Sequence, residues 1–588
     1  MTGETDGQSA DAEVDPATLE VVRNACVAVA EEMNATLVRT SYSPNIKERK
    51  DCSCALFDPE GRMVAQAENM PVHLGAMPYS VEAALAEHPL ETLQPGDAIL
   101  VNDPYHGGAH LPDLTLVTPI HVDGEPVAVA ANRAHHADIG GATPGSVGAD
   151  STEIYQEGLR IPPVKLYERG RPNDAVFDLI TINVRTPGER SGDLRAQQAA
   201  NETARERVEE LVRTHGADGL SRIFAEILSY SERRMRATLD GLPDGTYEFE
   251  DALDGDGRSD DPVPIRAAVT VDGESIDVDF SGTARQVDGP INAVEAVTAS
   301  ATYYAVRCVT DPDIPPNHGC YRPIEITAPE GTIVNASPPA AVVGGNLETS
   351  QRTVDVVLGA LAQAAPERSA AAGQGTMNNV TFGGVDAQTG EPYTFYETQA
   401  GGFGGRGGSD GMDAVHVHMS NTMNTPVEVL EDVYPLRVER YELRPDSGGA
   451  GAYRGGLGLR RDITPVGHDA DVSVLADRQR TRPYGLFGGE PGECGAVALL
   501  TEDGETAIES KSSLIVAAGE TLSIRTPGGG GYGDPVDRDP AAVLEDVRRG
   551  VVTPAAAREQ YGVIVEERDG AYVVNDETTA RHRSNRCR

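Results

Sequence analysis

The sequence predicts a multi-domain protein of mixed α/β class, with an α+β arrangement and a β-rich C-terminal half that has glycine-rich turns. Its 588 residues exceed what one hydrophobic core usually supports. Helical and strand-like patterns mix before residue 245, whereas strands and glycine clusters dominate from 376 to 526. The expected organisation is a disordered acidic tail (1–15), an α/β domain (16–245), a β-rich mixed domain (246–536), and a helical appendage with a tail (537–588).

The N-terminal domain is predicted to begin with a helix from Pro16 to Arg39. Asp15 is suited to cap this helix, and Pro16 suits its first position. Further elements are expected in this order: a hairpin over 54–65, a helix over 77–87, strands over 98–101, 114–120 and 127–133, and helices over 195–212 and 221–239. The strand over 127–133 is apolar on both faces, which predicts a central position in its sheet.

The character of the sequence changes near Gly241. Alternating residues and Asp-Gly turns predict β structure over 247–280. Helices are expected over 293–310 and 350–365, strands with glycine-rich turns over 376–526, and a final helical segment over 540–561.

The charge balance excludes one functional class. The chain has 92 Asp and Glu against 49 Lys and Arg, a formal net charge of −43. A nucleic-acid binder needs a basic face to neutralise phosphates, so we expect no nucleic-acid partner. Acidic disorder is an alternative, but 39% hydrophobic residues and dispersed acids favour a folded protein. We expect a halophilic protein whose self-repulsion is screened in molar salt.

Targeting signals and membrane segments are not expected. The N-terminus is polar and acidic, unlike a signal peptide, and no apolar stretch is long enough to span a bilayer. The seven cysteines form no CxxC pair, which is typical of buried thiols in a cytoplasmic protein. We therefore expect a cytoplasmic protein with no membrane partner.

Two short segments, Asn102–Asp113 and Arg133–Asp138, concentrate residues that bind metals. They contain four of the 13 histidines, together with three aspartates. Neutral imidazole and carboxylate are preferred ligands of Mn, Fe(II) and Zn, so the cluster predicts a divalent metal site. The alternative is a set of polar loop residues with a satisfied buried histidine, which suits a single His better than a cluster.

Proline limits the backbone of the first segment. Pro112 interrupts a strand and keeps Leu111 extended. We therefore expect His110 and Asp113 on a loop that wraps an ion.

The second segment offers two adjacent histidines, His135 and His136. Because side chains alternate along a strand, they point to opposite faces, and one ion takes one of them easily. His135 lies on the face that carries Val129, Ala131 and Arg133. The other histidine is left for a supporting role or for contact with substrate.

Glycine clusters and a His pair give weaker signals. Gly401–Gly408 contains GxGxxG but leads into no predicted helix, so a dinucleotide site is rejected. The run at 526–535 is a structural turn or, alternatively, a subunit contact or substrate-lining loop. Asp413–Met419 is predicted to be a strand with His416 and His418 on one face, more often packed polar residues than metal ligands.

Several long motifs resemble those of one known family. Besides the two metal segments and the terminal glycine run, they are 43–51 (SPNIKERKD), 71–75 (PVHLG), 151–158 (STEIYQEG), 192–197 (GDLRAQ), 344–352 (GGNLETSQR) and 375–379 (GTMNN). The chain resembles, nearly end to end, the hydantoinase B/5-oxoprolinase family, which includes the N-methylhydantoinase B subunit. Subunits of acetone and acetophenone carboxylases are related to it.

The resemblance implies a subunit of an ATP-dependent enzyme. Members open cyclic amides such as hydantoins and 5-oxoproline, or carboxylate ketones. It implies that a hydantoinase A-type subunit with an actin-like ATPase fold binds ATP and phosphorylates the substrate. The lack of a GxxxxGK[ST] phosphate loop agrees with this division. Similarity to the acetone carboxylase subunit implies a metal held by a His-x-x-Asp pair and a later His, here His110, Asp113 and His135.

Our primary hypothesis is a hydrolase subunit acting on a small cyclic amide within a hetero-oligomer. A divalent ion (Mn, Fe or Zn) would lower the pKa of bound water, and His136 or Asp138 would relay the proton. His73 is the third catalytic candidate. One alternative is the metal-containing subunit of a ketone carboxylase, in which the metal holds an enolate. The other is a non-catalytic scaffold for the ATPase subunit, against which the intact ligand set argues.

Overall fold

A computed structural model describes residues 14–67 and 69–586. Most of the predicted acidic tail, residues 1–13, lies outside the described residues. The first helix, α1 (Pro16–Thr40), begins where the sequence predicts. The Asp15 carboxylate accepts a hydrogen bond from the backbone N–H of Thr18 at 3.0 Å and so caps the helix.

A seven-stranded sheet organises the N-terminal part. Its spatial order is β2-β1-β5-β4-β3-β6-β7. The strands are β1 (Cys52–Phe57), β2 (Met63–Gln66), β3 (Ala98–Val101), β4 (Asp113–Val122), β5 (Glu125–His135), β6 (Val164–Glu168) and β7 (Arg171–Pro172). The further helices are α2 (Pro44–Lys47), α3 (Pro71–Glu87), α4 (Asp174–Ile182), α5 (Pro187–His215) and α6 (Ala217–Leu239).

Strand β5 lies inside this sheet, as its two apolar faces predict. Ala128 and Ala130 belong to a core formed with α1, α5 and α6. Val129 and Ala131 face the opposite way, into the larger core to which α3 contributes. Helices therefore cover both faces of the sheet, and alternate residues of one strand serve two cores.

The middle part contains three helices and a smaller sheet of order β11-β10-β9-β8, and one of the helices, α9, packs on β8 and β9. Its elements are β8 (Gly245–Leu253), β9 (Val263–Asp272), β10 (Ser275–Asp279), α7 (Glu295–Val309), α8 (His318–Tyr321), β11 (Ile324–Thr327) and α9 (Ser350–Ala364). A π-helical turn, Gly345–Thr349, precedes α9. Helix α7 contacts both α3 and α9 and thereby joins the N-terminal and middle parts.

The C-terminal half contains two antiparallel sheets that share an apolar core. Their orders are β13-β12-β16-β19 and β14-β15-β20-β17-β18. The elements are β12 (Asn379–Val385), β13 (Pro392–Thr398), α10 (Val427–Val433), β14 (Leu436–Leu443), β15 (Leu459–Pro465), β16 (Ala470–Leu475), β17 (Ala496–Thr501), β18 (Gly504–Ile508), β19 (Lys511–Val516) and β20 (Thr521–Arg525).

Four glycine-rich segments pack directly on one another beside these sheets. We call residues 401–408, 448–458, 485–492 and 527–533 the glycine bundle. Gly529 N–H donates to the Gly456 carbonyl at 2.9 Å, and Gly449 N–H donates to the Gly529 carbonyl at 2.8 Å. A Cβ built at Gly455 would lie 1.9 Å from the Gly529 oxygen. The backbones thus approach to distances that only glycine allows.

The structure confirms the mixed α/β fold class and most of the predicted elements, and it corrects two. Asp413–Met419 is not a strand: it has one isolated bridge, Val415 to Gly401, and His418 has a φ of +49°. The C-terminal part has the predicted helices, α11 (Pro540–Arg548) and α12 (Pro554–Glu559). It also contains an unpredicted hairpin, β21 (Val565–Arg568) and β22 (Ala571–Val574), followed by α13 (Asp576–Arg586).

The proposed domain division stays a prediction. The largest core contains residues from Ala55 to Leu475 and so extends across the boundary placed near residue 245. Within the described ranges, no helix has both the length and the apolar character needed to cross a membrane.

Candidate metal centre

Strand register brings two of the predicted ligands together. Asp113 pairs with His135 across β4 and β5, so their side chains share one face of the sheet. A turn adds the third ligand, since Asp113 N–H donates to the His110 carbonyl at 3.1 Å. We predicted that both His110 and Asp113 lie on a loop; Asp113 instead begins β4, because Pro112 limits only the residues before it.

The three side chains meet at one point. His110 Nε2 lies 2.9 Å from Asp113 Oδ1, and His135 Nδ1 lies 3.2 Å from the same oxygen. The two imidazole nitrogens are 3.2 Å apart. All three side chains are buried, and they are the single group of three or more His, Cys, Asp or Glu found at metal-binding spacing in residues 14–67 and 69–586.

The neighbouring histidine points away from this point. His136 Nε2 lies 3.0 Å from Gln197 Oε1 on α5, on the other face of the sheet. The two histidines point to opposite faces, as the alternation of side chains along β5 predicts, and His135 is the one that faces Asp113.

Burial and charge set the protonation of the triad. Burial by itself would raise the pKa of Asp113, but the neighbouring imidazoles of His110 and His73 hold it well below its usual value. Burial lowers the pKa of His135. At neutral pH the site therefore offers an ionised carboxylate and a neutral imidazole, the forms that bind metals.

The hydrogen bond made by His110 indicates that the metal-binding atoms of the triad suit a cation. His110 Nδ1 lies 3.3 Å from the Val343 carbonyl oxygen, which only accepts, so Nδ1 carries the proton in neutral imidazole. Nε2 then directs a lone pair at Asp113 Oδ1. Lone pairs of His110, Asp113 and His135 that face one point repel each other unless a cation lies between them, so these residues fit a divalent ion.

His73 lies beside the triad on α3. Its Nε2 is 3.4 Å from Asp113 Oδ2 and 3.9 Å from Asp51 Oδ1, and its Nδ1 is 3.3 Å from Ser53 Oγ. All four residues are buried. Of the three catalytic candidates predicted from sequence, His73 is placed where it can exchange a proton with the triad.

The other two catalytic candidates make different contacts. Burial, followed by the charge of Arg190, lowers the pKa of His136 to about 4, so its imidazole is neutral at pH 7. Asp138 is fully buried and forms an ion pair with Arg185 at 2.7 Å. It also accepts hydrogen bonds from the backbone of Arg185, Gly140 and Gly145. These contacts hold a loop in place, and the proton relay through Asp138 or His136 stays a prediction.

Two residues that the sequence reasoning left without a role border the triad. The Tyr396 ring, on β13, stacks on His135 with ring centroids 4.6 Å apart and planes 17° apart. The Arg49 guanidinium lies 5.0 Å from the centre of the same ring. Arg49 and Asp51 both fall in the 43–51 motif, which was the available signal for them, whereas Tyr396 lies outside every quoted motif.

The second histidine pair is packed into the fold. His416 lies 3.0 Å from Ser420 Oγ, and burial lowers the pKa of His416 to about 3. His418 Nε2 lies 3.3 Å from Asp355. These contacts are those of packed polar residues, the interpretation that the sequence favours.

A cavity adjoins the helix that carries His73. Its volume is about 510 Å³, and its lining includes Leu74 and Gly75 of α3, Tyr303, and the pair His416 and His418. This volume suits a small organic molecule.

Comparison with known proteins identifies the family. The family model described as hydantoinase B/oxoprolinase matches residues 15–535. The chain belongs to this family. It is 38% identical to 5-oxoprolinase 1 of Arabidopsis thaliana over 545 residues, which are 88% of this chain and 42% of the relative. The chain therefore spans less than half the length of that relative.

Other similar proteins match over most or all of their length. The caprolactamase subunit beta of Pseudomonas jessenii is 33% identical, over 97% of this chain and 99% of the relative. In the crystal structure of the ATP-dependent caprolactamase from that organism, a chain matches with a TM-score of 0.90, covering 97% of this chain and 100% of the other. A nucleotide-free acetone carboxylase structure also reaches 0.90, covering 97% of this chain and 83% of the other, at 20% identity, which shows a shared fold.

Proposed function

We propose that this chain is the ring-opening subunit of an ATP-dependent cyclic amide hydrolase. The observation that carries the proposal is the buried triad His110, Asp113 and His135, in a chain similar from end to end to a caprolactamase beta subunit. A non-catalytic scaffold has no need of three ligands that converge in a core.

The proposal assigns ATP to a partner of the hydantoinase A type. The full sequence contains no GxxxxGK[ST] phosphate loop, and the chain matches 42% of the length of a 5-oxoprolinase. The partner transfers the terminal phosphoryl group of ATP to the amide oxygen. This makes the amide carbon a better electrophile, and the ring-opening steps fall to the present chain.

Ring opening requires water and proton transfer. One water adds its oxygen to the activated carbon, the C–N bond breaks with its electron pair on nitrogen, and nitrogen gains a proton. A second water releases phosphate and leaves a carboxylate. A divalent ion held by His110, Asp113 and His135 would lower the pKa of the water bound to it.

The chain's own residues position the site and move the protons. One carboxylate oxygen of Asp113 faces both histidine ligands. His73 lies within reach of Asp113 and Asp51, and we assign it the proton of the attacking water. Tyr396 covers one face of His135 and excludes water from it.

Reconstitution tests this proposal. The chain is produced with an ATPase subunit of the hydantoinase A type, and ADP release is measured with lactams, hydantoins and ketones, with and without bicarbonate. We expect ADP release coupled to ring opening of a lactam or hydantoin, and none from the present chain alone. Turnover of a ketone that requires bicarbonate would establish the carboxylase alternative, and ATP hydrolysis with no ring opening would overturn the proposed hydrolase.

A further inference from the structure

We propose that Asn346 is a fourth protein ligand of the metal centre and that it binds through its amide oxygen. The inference rests on the proposed divalent ion at His110, Asp113 and His135. It adds a residue that comes from a different part of the fold, the π-helical turn before α9.

The contacts of Asn346 place it at the triad. Its amide Nδ2 position lies 3.2 Å from His110 Nε2 and 3.4 Å from Asp113 Oδ2. The residue is 2% exposed. Its Oδ1 position is buried and has no hydrogen-bond partner among the described residues. One end of the amide therefore faces the triad, and the other end has no partner.

The chemistry of the triad favours oxygen at the inner position. The two orientations of an amide have the same shape and exchange oxygen for nitrogen. With a divalent ion between His110 and Asp113, an inner N–H would face the cation, whereas an inner carbonyl oxygen would add a ligand to it. Carbonyl and carboxylate oxygens are suitable ligands for ions such as Mn²⁺.

The backbone around Asn346 is held firmly. The Ser350 hydroxyl donates to the Asn346 carbonyl at 2.7 Å, and Thr349 Oγ1 donates to the Ile291 carbonyl. A Cβ built at Gly345 would lie 1.8 Å from the Asn292 oxygen, so the turn is pressed against that segment. Single π-helical turns occur frequently at functional sites. A rigid turn that directs an amide at three metal-binding atoms is a suitable ligand position.

A purely structural Asn346 would behave differently on substitution. If Asn346 only donates hydrogen bonds to His110 and Asp113, these bonds are lost equally in Asn346→Leu and Asn346→Asp. The new carboxylate in Asn346→Asp would also repel Asp113. If Asn346 binds the metal through its oxygen, that ligand is lost in Asn346→Leu and kept in Asn346→Asp. The two variants therefore separate the roles.

Metal binding to the full-length chain provides the test. Mn²⁺ affinity is measured by competition with a chelator, and the number of water molecules on bound Mn²⁺ is measured by proton relaxation. We expect Asn346→Leu to weaken Mn²⁺ binding roughly tenfold or more and to add one bound water, because solvent replaces the lost ligand. We expect Asn346→Asp to bind Mn²⁺ at least as tightly as the wild type, with the same number of water molecules on the bound ion as in the wild type.

Gln351→Leu is the matched control. Gln351 is a buried amide on α9 whose Nε2 donates to the Val417 carbonyl at 3.0 Å and whose Oε1 lacks a described partner. We expect unchanged Mn²⁺ binding in this variant. Wild-type affinity and water number in Asn346→Leu, or equal losses in Asn346→Leu and Asn346→Asp, would overturn the ligand role. A wild-type chain that binds no ion would overturn the metal site as well, whereas absent turnover alone would concern the proposed reaction.

Discussion

The metal centre and the glycine bundle are built in opposite ways. At the centre, the side chains of His110, Asp113 and His135 project from a regular sheet and its adjoining turn. In the bundle, backbone contacts backbone, and a Cβ built at Gly529 would lie 2.2 Å from the Phe403 oxygen. Substitutions at the centre should therefore change metal binding, and substitutions in the bundle should change folding without changing metal binding.

The two regions are connected through β13. Tyr396 on this strand stacks on His135, and the chain enters the glycine bundle three residues after the strand ends at Thr398. Gln374 N–H, just before β12, donates to the Gly402 carbonyl at 2.8 Å. The bundle thus supports the strand that covers one side of the metal centre.

The largest effect is expected in the bundle. Gly529→Ala would place a methyl group 2.2 Å from the Phe403 carbonyl, and backbone cannot move aside as the end of a side chain does. We expect a cost of about 3 kcal/mol or more, and hence a markedly lower melting temperature or failure to fold. Thermal unfolding followed by circular dichroism measures this effect.

Gly188→Ala is the matched control for the bundle. Gly188 is the second residue of α5, and nothing lies within 4 Å of a Cβ built there. Alanine is the better helix former, so its melting temperature should be equal to or slightly above that of the wild type. Equal melting temperatures for Gly529→Ala and Gly188→Ala would contradict the described packing of the bundle.

The next effect concerns the metal centre. Asp113→Asn removes the charged oxygen that faces both His110 and His135. We expect Mn²⁺ affinity to fall by more than the roughly 10–100-fold seen for outer partners of metal ligands. The metal-free melting temperature should also fall, because the fold holds the pKa of Asp113 well below its usual value and so stabilises the carboxylate that this variant lacks. Chelator competition and thermal unfolding in excess EDTA measure the two quantities.

Asp410→Asn makes the opposite prediction beside the bundle. Asp410 accepts two hydrogen bonds from Arg538, at 2.6 and 2.7 Å. We expect this variant to lose roughly 1 kcal/mol of stability or more and to keep full Mn²⁺ affinity. If both aspartate variants lost metal, or both lost only stability, the division between the two regions would be wrong.

The family resemblance implied the triad, and local rules explain how its side chains come together. Alternation along β5 separates His135 from His136, and two adjacent strands bring His135 to Asp113. Asn346 and Tyr396 reach the same point from distant segments, through the packing of α9 and β13. No periodicity within a segment encodes such long-range packing, so these residues were not predicted.

The packing of the glycine bundle could not be predicted from local sequence rules, for a different reason. From sequence, Gly401–Gly408 is only rejected as a dinucleotide site, and the run at 526–535 is a structural turn or, alternatively, a subunit contact or substrate-lining loop. Their structure comes from contacts with each other, such as the hydrogen bond from Gly405 N–H to the Gly530 carbonyl at 2.8 Å. The strand predicted over Asp413–Met419 failed in the same region, since contacts with neighbouring loops outweigh the alternating pattern.

The last predicted effect is a pH dependence near the metal centre. Burial raises the pKa of Glu157 from 4.5 to about 8, and Glu157 accepts a hydrogen bond from the backbone N–H of Val343, whose carbonyl contacts His110. Between these pKa values the folded chain keeps a proton that the unfolded chain releases. This residue's contribution to stability is therefore full below about pH 4.5 and falls as pH rises to about 8, by at most about 1.4 kcal/mol per pH unit.

Glu157→Gln isolates this contribution, because glutamine keeps the oxygen that accepts from Val343 and carries no titrating proton. We expect the stability of the variant relative to the wild type to rise between pH 5 and pH 8 and to level off above that range, as measured by urea unfolding at each pH. Glu206→Gln, at a side chain 71% exposed, should show no such trend. A constant difference between Glu157→Gln and the wild type across this range would mean that Glu157 ionises freely in the fold. The metal centre would then still differ from the bundle in being built from side chains. It would not differ by having a neighbouring residue that makes stability depend on pH.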